Sequence, residues 1–175
     1  TKIKKNAFMK KCLVNKNIKD AWETYLDTYK RQMNYFIKSD NYKYQVSEVE
    51  GKKSSGIDIN LYKLFIEKAF QLLKKDGMFG MVLPSGIYSD LGTKGLRQLI
   101  FDQCKLNELC GFINKKPIFY DVHRQFKFCT LLFKKNSSTG KFLAKFRVTD
   151  DSELRKFQER AFPYDLDLIK MSSPD

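Results

Sequence analysis

The amino-acid sequence predicts an α/β fold, in which a helix precedes a partial sheet with an antiparallel edge. Three observations support this prediction. A short, continuous apolar run at 78–83 is typical of a strand that is buried on both faces. Helical patterns flank this run, and three further strand patterns follow it. The chain has 175 residues, of which 42% are hydrophobic, so it has enough apolar material for one core.

The first predicted element is an amphipathic helix over residues 17–38, with Asn17 as its N-cap. Its apolar residues recur at helical spacing: Trp22, Tyr25, Leu26, Tyr29, Met33, Phe36 and Ile37. Residues 39–56 are polar and contain several serines and glycines, so they are predicted to form a loop.

A second helix is predicted over about residues 60–75. Its apolar residues fall on one face: Leu61, Leu64, Phe65, Ala69 and Leu72. Two lysines lie in its last turn, where the helix dipole favours cations. Gly77 is predicted to stop this helix as a left-handed C-cap, directly before the buried strand.

The second half of the chain predicts alternating elements. They are a helix at 93–103, strands at 106–113, 126–133 and 141–148, and a short helix that ends near Arg160. The last strand alternates, with Phe142, Ala144, Phe146 and Val148 on one side. Because short loops join the last strands, we expect these strands to run antiparallel at one edge. Asp150 and Glu153 have the spacing of a capping box.

The net charge of +13 is unevenly distributed along the chain. Residues 1–56 carry 13 basic and 6 acidic side chains, and residues 101–149 carry 10 and 3, so each segment has a net charge of +7. Residues 57–100 are nearly neutral, and residues 150–175 are acidic. A nucleic acid is the natural partner of such a surface. A lysine-rich surface that is merely solvated is the alternative that composition leaves open.

Other features exclude several classes of protein. No apolar run approaches the ~20 residues that a membrane helix needs. The chain has four cysteines: Cys12, Cys104, Cys110 and Cys129. None are spaced C-x-x-C and His123 is the only histidine, which excludes a zinc site of paired ligands. Without a secretory signal, we expect reduced thiols in a cytoplasmic protein. Both ends resemble cuts within a longer polypeptide.

An ordered series of motifs resembles a known family. The series is Asp58-Ile59-Asn60-Leu61-Tyr62-Lys63-Leu64-Phe65, Val82-Leu83-Pro84-Ser85-Gly86, Asp90-Leu91-Gly92-Thr93, Gly111-Phe112-Ile113-Asn114-Lys115-Lys116-Pro117-Ile118-Phe119 and Leu131-Leu132-Phe133. Residues 56–146 resemble the C-terminal half of the methyltransferase domain of gamma-class adenine-N6 DNA methyltransferases, of the kind found in large single-chain restriction–modification enzymes. The resemblance implies a Rossmann-like sheet and methyl transfer from S-adenosylmethionine to a flipped adenine in double-stranded DNA.

Two motifs that precede this region in the family are absent from the chain. They are the glycine-rich cofactor loop and the Asn-Pro-Pro-Tyr motif that grips the amino group of the adenine. We therefore expect a fragment without catalytic residues of its own, inactive in isolation, whose partners are DNA and the rest of the parent polypeptide. Its expected parts are a helical segment and loop (1–56), the methyltransferase half-domain (57–149) and an acidic helical tail or the start of a further region (150–175). A non-enzymatic, basic nucleic-acid-binding module is the alternative.

The resemblance implies roles for three apolar residues. Phe65 would pack on the adenine ring of the cofactor, and Pro84 ends the buried strand at the edge where open α/β sheets bind ligands. Phe119 would stack on the flipped adenine, because an unstacked base loses several kcal/mol, on the order of 1–3 per base, that must be recovered. Sequence pattern leaves alternatives: a core residue at Phe65, an ordinary strand end at Pro84 and a buried loop anchor at Phe119.

Four basic residues surround this loop: Lys115, Lys116, Arg124 and Lys127. They would contact the DNA backbone, because a flipped nucleotide leaves its phosphates nearby; a solvated, charged hairpin is the alternative. His123 is not expected to be a catalytic base, since the family relies on the absent motif. The resemblance also implies that the strand at 126–133 runs antiparallel between those at 79–83 and 106–113.

Overall fold

The structure is a computed structural model, and it describes residues 2–46, 48–49, 52–53 and 59–172. The chain divides into two units, Thr1–Asn41 and Tyr42–Asp175. The expected parts 1–56, 57–149 and 150–175 remain predictions. The first of these boundaries lies outside the described residues, as do the end of the predicted loop and the last three residues.

The first unit contains two helices, α1 (Lys2–Cys12) and α2 (Lys16–Lys38). α1 has no apolar stripe, which is why the sequence pattern does not predict it. α2 ends where predicted, but its N-cap is Asn15 and not Asn17. The side-chain oxygen of Asn15 accepts hydrogen bonds from the backbone N–H groups of Asn17 at 3.0 Å and Ile18 at 3.3 Å. These two donors have no partner within the helix, so the side chain satisfies them.

The second unit combines a sheet with helices. Its elements are, in chain order, β1 (Glu48–Val49), β2 (Lys52–Lys53), α3 (Leu61–Leu72), β3 (Met78–Pro84), α4 (Gly86–Ser89), α5 (Lys94–Gln103), β4 (Cys104–Ile113), β5 (Lys127–Lys135), β6 (Lys141–Val148), α6 (Phe157–Arg160), β7 (Phe162–Asp165) and α7 (Leu166–Ser172). β1 and β2 pair as a small antiparallel hairpin. The other five strands form one sheet in the order β3-β5-β4-β6-β7, which confirms the predicted α/β class.

The strand directions place three carboxyl ends at one edge of the sheet. β5 runs antiparallel to both β3 and β4 and lies between them, as predicted, so β3 and β4 are parallel to each other. β6 is parallel to β4, and β7 is antiparallel to β6. β4, β5 and β6 alternate in direction along the chain, as expected of strands joined by short loops, and β4 lies between β5 and β6 in the sheet. β3, β4 and β6 therefore end at the same edge.

Two apolar clusters cover the two faces of this sheet. The larger packs α3 and α5 on the sheet; it includes Ile66, Leu83, Leu96, Leu99, Leu109, Leu131 and Phe133. The smaller is on the opposite face and consists of Cys110, Phe112, Phe128, Val148 and Phe157. Side chains alternate along a strand, so successive residues such as Leu109 and Cys110 serve opposite faces. We call these the first and the second face.

Three of the four cysteines are packing residues. Cys104, Cys110 and Cys129 are buried, and all four thiols are free. Burial raises the pKa of Cys104 and of Cys110 to about 11 and that of Cys129 to about 12. These thiols are therefore protonated and unreactive at neutral pH.

The end of α3 departs from its prediction. The helix ends at Leu72, so the two lysines after it lie outside the helix. Asp76, and not Gly77, is in the left-handed region, with φ of 64°. Gly77 is instead required by close approach, because a Cβ atom there would lie 2.9 Å from the carbonyl oxygen of Lys74.

The buried carboxylate of Glu67 connects the start of this unit to α3 through hydrogen bonds. The side chain of Glu67 accepts hydrogen bonds from the backbone N–H of Lys43 at 2.6 Å and from Nε2 of Gln45 at 2.7 Å. Glu67 is 2% exposed and Gln45 is fully buried. Several donors around one buried carboxylate offset its desolvation.

β6 has its predicted bounds, but one of its side chains lies on a face other than the predicted one. Phe142 and Ala144 face the first cluster, as predicted, but Val148 belongs to the second. The register with β4 shifts by one residue between Lys145 and Val148, which marks a β-bulge opposite Gly111. One extra residue moves the following side chain to the other face.

In the turn after β6, the predicted N-cap is correct and the predicted capping box is not. Asp150 is the N-cap, as predicted, and its carboxylate accepts the backbone N–H of Ser152 at 3.0 Å. The next six residues form a 3-10 helix before α6 ends at Arg160. Glu153 does not complete the capping box, because its carboxylate pairs with Lys145 and Arg160.

Candidate functional site at the carboxyl edge of the sheet

Most of the predicted site residues meet where β3, β4 and β6 end. Pro84 is the last residue of β3, and Lys127 is the first residue of the antiparallel β5 beside it. The loop 114–126, which contains Phe119, connects β4 to β5 at the same edge. Open α/β sheets bind ligands at this edge, because the loops there leave a crevice and expose backbone groups.

The turn that follows Pro84 is held by side chains of the motif at 90–97. The hydroxyl of Thr93 lies 2.8 Å from the carbonyl oxygen of Gly86 and 2.7 Å from that of Asp90. The guanidinium of Arg97 donates to the carbonyl oxygen of Asp90 and to the hydroxyl of Thr93, both at 2.7 Å. Burial lowers the pKa of Arg97, which is nevertheless always charged in proteins. This motif therefore fixes the backbone after β3.

The apolar residues of α3 fall on two faces, not on the one face that the pattern predicts. Three of them form an exposed stripe: Leu61, Phe65 and Leu72. Leu64 packs inward and is buried, whereas Phe65 is 56% exposed, so Phe65 is not a core residue. The first turn of α3 lies beside the turn after β3, since the Tyr62 hydroxyl is 3.1 Å from the Cβ position of Gly86. Phe65 thus offers an open ring near this edge.

The loop 114–126 is organised by one buried amide. Asn114 is fully buried, and its Oδ1 accepts the backbone N–H groups of Ile118 at 3.0 Å and Phe119 at 3.1 Å. Its Nδ2 donates to the carbonyl oxygens of Phe119 and Val122, both at 2.9 Å. The four bonds use the full capacity of the amide. The sequence motif contains Asn114 but does not reveal this role.

Phe119 is half-exposed at the rim of the second face. Its ring is 41% exposed and packs edge-to-face on Phe128 at 5.1 Å. Phe128 in turn stacks on Phe112 at 5.0 Å. Ile118, the preceding residue, is the one that packs against the second cluster. The ring is therefore supported from below and accessible to a ligand, and its stacking role remains a prediction.

The four predicted cations differ in their surroundings. Lys116 pairs with Asp150 at 2.9 Å, and hydrogen bonds from Ser152 together with this pair hold the pKa of Asp150 far below its usual range. Lys115, Arg124 and Lys127 are exposed and form no ion pair with any described residue. These three keep their charge available to an anion.

Two other features bear on the chemistry of this edge. Nδ1 of His123 accepts the backbone N–H of Gln125 at 3.2 Å, so the imidazole closes a local turn. Within the described ranges, no group of histidine, cysteine and acidic residues is placed to hold a metal ion. No helix of that part of the chain has the length and apolar character needed to cross a membrane.

The fold matches that of known methyltransferase subunits. The type I restriction–modification methyltransferase subunit from Streptococcus thermophilus has 15% sequence identity and a TM-score of 0.55, over 78% of this chain and 32% of that one. The modification subunit of a putative type I restriction enzyme from Vibrio vulnificus YJ016 has 14% identity and a TM-score of 0.51, over 72% and 32%. This chain therefore spans about a third of the length of these neighbours.

The sequence identifies the family. The model of the Eco57I restriction-modification methylase family matches residues 15–119, which is more than half of the chain. The chain belongs to this family of restriction–modification methylases, which confirms the predicted resemblance. Comparison with curated proteins gave no match. The matched region begins at α2 and extends through the loop to Phe119.

Proposed function

We propose that this chain forms part of a DNA adenine-N6 methyltransferase of a restriction–modification system, with S-adenosylmethionine as the methyl donor. The observation that carries the proposal is the half-exposed ring of Phe119 on a rigid loop at the ligand-binding edge of a methylase-family sheet. The non-enzymatic nucleic-acid-binding alternative is not favoured, since the family is one of methylases. We propose a cytoplasmic location, where the DNA of such a system lies.

Phe65 and Pro84 are the residues of this chain that fit the cofactor. Bound S-adenosylmethionine supplies the methyl group as an electrophilic sulfonium. The exposed ring of Phe65 offers a flat, apolar face for an adenine ring, and Pro84 ends β3 at the edge beside the first turn of α3. The proline ring has no N–H, so it leaves the rim apolar at that point.

Phe119 is proposed to hold the target base. A flipped adenine loses its stacking partners, and an aromatic face recovers on the order of 1–3 kcal/mol per base. The four hydrogen bonds of Asn114 fix the backbone of Phe119, so the ring is positioned before DNA arrives. Such positioning matters, because methyl transfer depends mainly on holding donor and acceptor in line.

Lys115, Arg124 and Lys127 are proposed to contact the DNA backbone, with Lys116 as a weaker contributor. Lys116 already pairs with Asp150, and the phosphate would have to compete with that carboxylate. The other three have no such competitor among the described residues. Phosphate contacts of this kind fix the register of the duplex without reading its sequence.

We propose that a further strand pairs with β3 and extends the sheet. β3 is an edge strand of the described sheet, and its Met78 and Val82 are each 50% exposed. The exposed stripe of α3 lies on the helix that packs beside this strand. An apolar edge with free backbone groups favours pairing with a further strand. We propose that the rest of a longer polypeptide provides that strand, the cofactor loop and the amine-gripping motif.

The test is methyl transfer by a longer polypeptide that contains this chain. Incubation of duplex DNA with methyl-labelled S-adenosylmethionine, followed by digestion to nucleosides, should give N6-methyladenine. Phe119→Ala should lower kcat/KM by the factor that corresponds to about 1–3 kcal/mol of lost stacking. The affinity for the cofactor should be retained. Phe162→Ala is the matched control, because Phe162 is an exposed phenylalanine on β7, at the opposite edge from β3. Methylated cytosine as the product, or equal losses in the two variants, would contradict the proposal.

A further inference from the structure

A cavity lies at the same carboxyl edge of the sheet. It has a volume of about 550 Å³ and is lined by Tyr88, Phe112, Ile113, Lys127, Phe146 and Arg147. This volume falls within the roughly 300–1,000 Å³ that small-molecule sites occupy. Phe119 is not among these lining residues; it contacts Phe128, which stacks on the lining residue Phe112. The sequence does not predict a site role for three of the lining residues: Tyr88, Phe146 and Arg147.

A glycine allows the aromatic walls of this cavity to form. The rings of Tyr88 and Phe146 pack edge-to-face at 5.3 Å. A Cβ atom at Gly111 would lie 2.8 Å from Cδ1 of Phe146 and 3.2 Å from the hydroxyl of Tyr88. Any larger residue at this point of β4 would displace the Phe146 ring. Gly111 therefore lets both rings lie against the strand, and an aromatic ring is the kind of surface on which a base stacks.

The bulge in β6 sets the backbone at the rim of the cavity. Arg147 has φ of 61°, a left-handed conformation that is unfavourable for a residue other than glycine. Bulges of this kind redirect a side chain, and they are frequent next to binding sites. Arg147 lines the cavity together with Lys127, which comes from the neighbouring end of β5.

The cations at the cavity differ from those beside it. Lys145 and Arg160 both pair with Glu153, and Lys116 pairs with Asp150. Lys127 and Arg147 form no ion pair with any residue that the structure describes. The acidic turn after β6 thus neutralises the cations on its own side and leaves two uncompensated positive charges at the cavity. Two such charges beside aromatic rings match a phosphate joined to a base.

We propose that this cavity binds one nucleotide of a DNA strand, with its base against Tyr88 and Phe146 and its phosphate between Lys127 and Arg147. The proposal rests on the proposed function in taking DNA as the ligand, and it adds a nucleotide contact separate from that of Phe119. Burial raises the pKa of Tyr88, so its hydroxyl stays protonated and can donate a hydrogen bond to the nucleotide.

The first test is the salt dependence of DNA binding by the chain. Fluorescence anisotropy with a fluorescein-labelled duplex, and with the corresponding single strand, gives the affinity at a series of salt concentrations. Lys127→Gln and Arg147→Gly should each weaken binding and reduce the slope of log K against log salt by about 0.9 for the duplex and about 0.7 for the single strand. Glycine is chosen at 147 because it adopts a positive φ without strain, so the fold is preserved.

Lys141→Gln is the matched control for this test. Lys141 is an exposed cation at the other end of the same strand, paired with Asp165 at 3.6 Å. It should leave the slope unchanged. Equal slopes in the unmodified chain and in both cavity variants, or an equal reduction in the Lys141 variant, would overturn the proposal.

The second test locates the ligand with small probes. Deoxyadenosine 5′-monophosphate should shift the amide NMR signals of Gly111, Lys127 and Arg147, and deoxyadenosine or inorganic phosphate alone should shift them less. Phe146→Ala should abolish the preference for the nucleotide over inorganic phosphate. Shifts that are absent, or equal for nucleotide and phosphate, would refute a nucleotide site. Neither test measures methylation. The nucleotide site can therefore be confirmed when methyl transfer is not observed, and it can be refuted when methyl transfer is observed.

Discussion

Replacement of Asn114 by alanine is the most direct test of how the loop at the candidate site is built. The substitution removes four hydrogen bonds between one side chain and the backbone of residues 118–122. Each such bond contributes about 0.5–1.5 kcal/mol net, and the released groups are only part-buried, so water can reach some of them. We expect Asn114→Ala to lower the free energy of unfolding by about 2–4 kcal/mol.

Asn114→Asp separates the acceptor from the donor half of the amide. The acceptor that serves Ile118 and Phe119 is kept, but a carboxylate oxygen replaces the group that donates to two carbonyl oxygens. Burial and these carbonyl oxygens should raise the pKa of the new carboxyl in the folded chain. A group that binds its proton more tightly when folded loses stability as the pH rises, so this variant should be less stable at neutral than at mildly acidic pH.

The assay is urea unfolding followed through the amide NMR signals of β4 and β5, with hydrogen exchange at Ile118 and Phe119. Gln125→Ala is the control, since Gln125 is exposed in the same loop and its side chain forms no hydrogen bond with any residue that the structure describes. The control should change the free energy of unfolding by less than about 0.5 kcal/mol. A loss below about 1 kcal/mol for Asn114→Ala, with exchange at Ile118 unchanged, would refute the reasoning.

Three further predictions concern the chain as a whole. The chain alone should transfer no methyl group to DNA and should bind S-adenosylmethionine weakly, because the cofactor loop and the amine-gripping motif are absent; labelled methyl transfer by the chain alone would contradict this. Its affinity for DNA should fall steeply with salt, because the segments 1–56 and 101–149 each carry a net charge of +7; an affinity independent of salt would count against it. Ellman's reagent at mildly alkaline pH should label Cys12 quickly and the three buried thiols only in urea, since burial raises their pKa to about 11–12; fast labelling that persists in Cys12→Ser would show that a buried thiol is accessible.

Local pattern predicts the strands of this chain well and their order poorly. The strands at 106–113, 126–133 and 141–148 are found within two residues of their predicted bounds, because burial of alternate or successive side chains is a property of short segments. The position of β5 between β3 and β4 follows from the family resemblance, not from the pattern. Short loops predict that consecutive strands alternate in direction, but they do not show that β4 lies between β5 and β6.

Helix patterns identify apolar faces but not what covers them. α3 has apolar side chains on two faces. The sequence pattern treats them as one face, because Leu64 and Phe65 are consecutive residues and belong to adjacent faces of the helix. Only the packing of the helix on the sheet separates buried Leu64 from exposed Phe65. The separation changes the interpretation of Phe65, since an exposed ring is available to a ligand and a core ring is not.

The bulge at Arg147 explains why the cavity beside Phe146 cannot be predicted from the alternation of β6. A regular strand would place Phe146 and Val148 on the same face as Ala144. The structure keeps Phe146 on the first face beside Tyr88 and moves Val148 to the cluster of Phe112. The missing Cβ at Gly111 makes room for the Phe146 ring directly opposite the inserted residue. One glycine on β4 and one extra residue on β6 therefore act together, and a pattern read along either strand alone does not contain that relation.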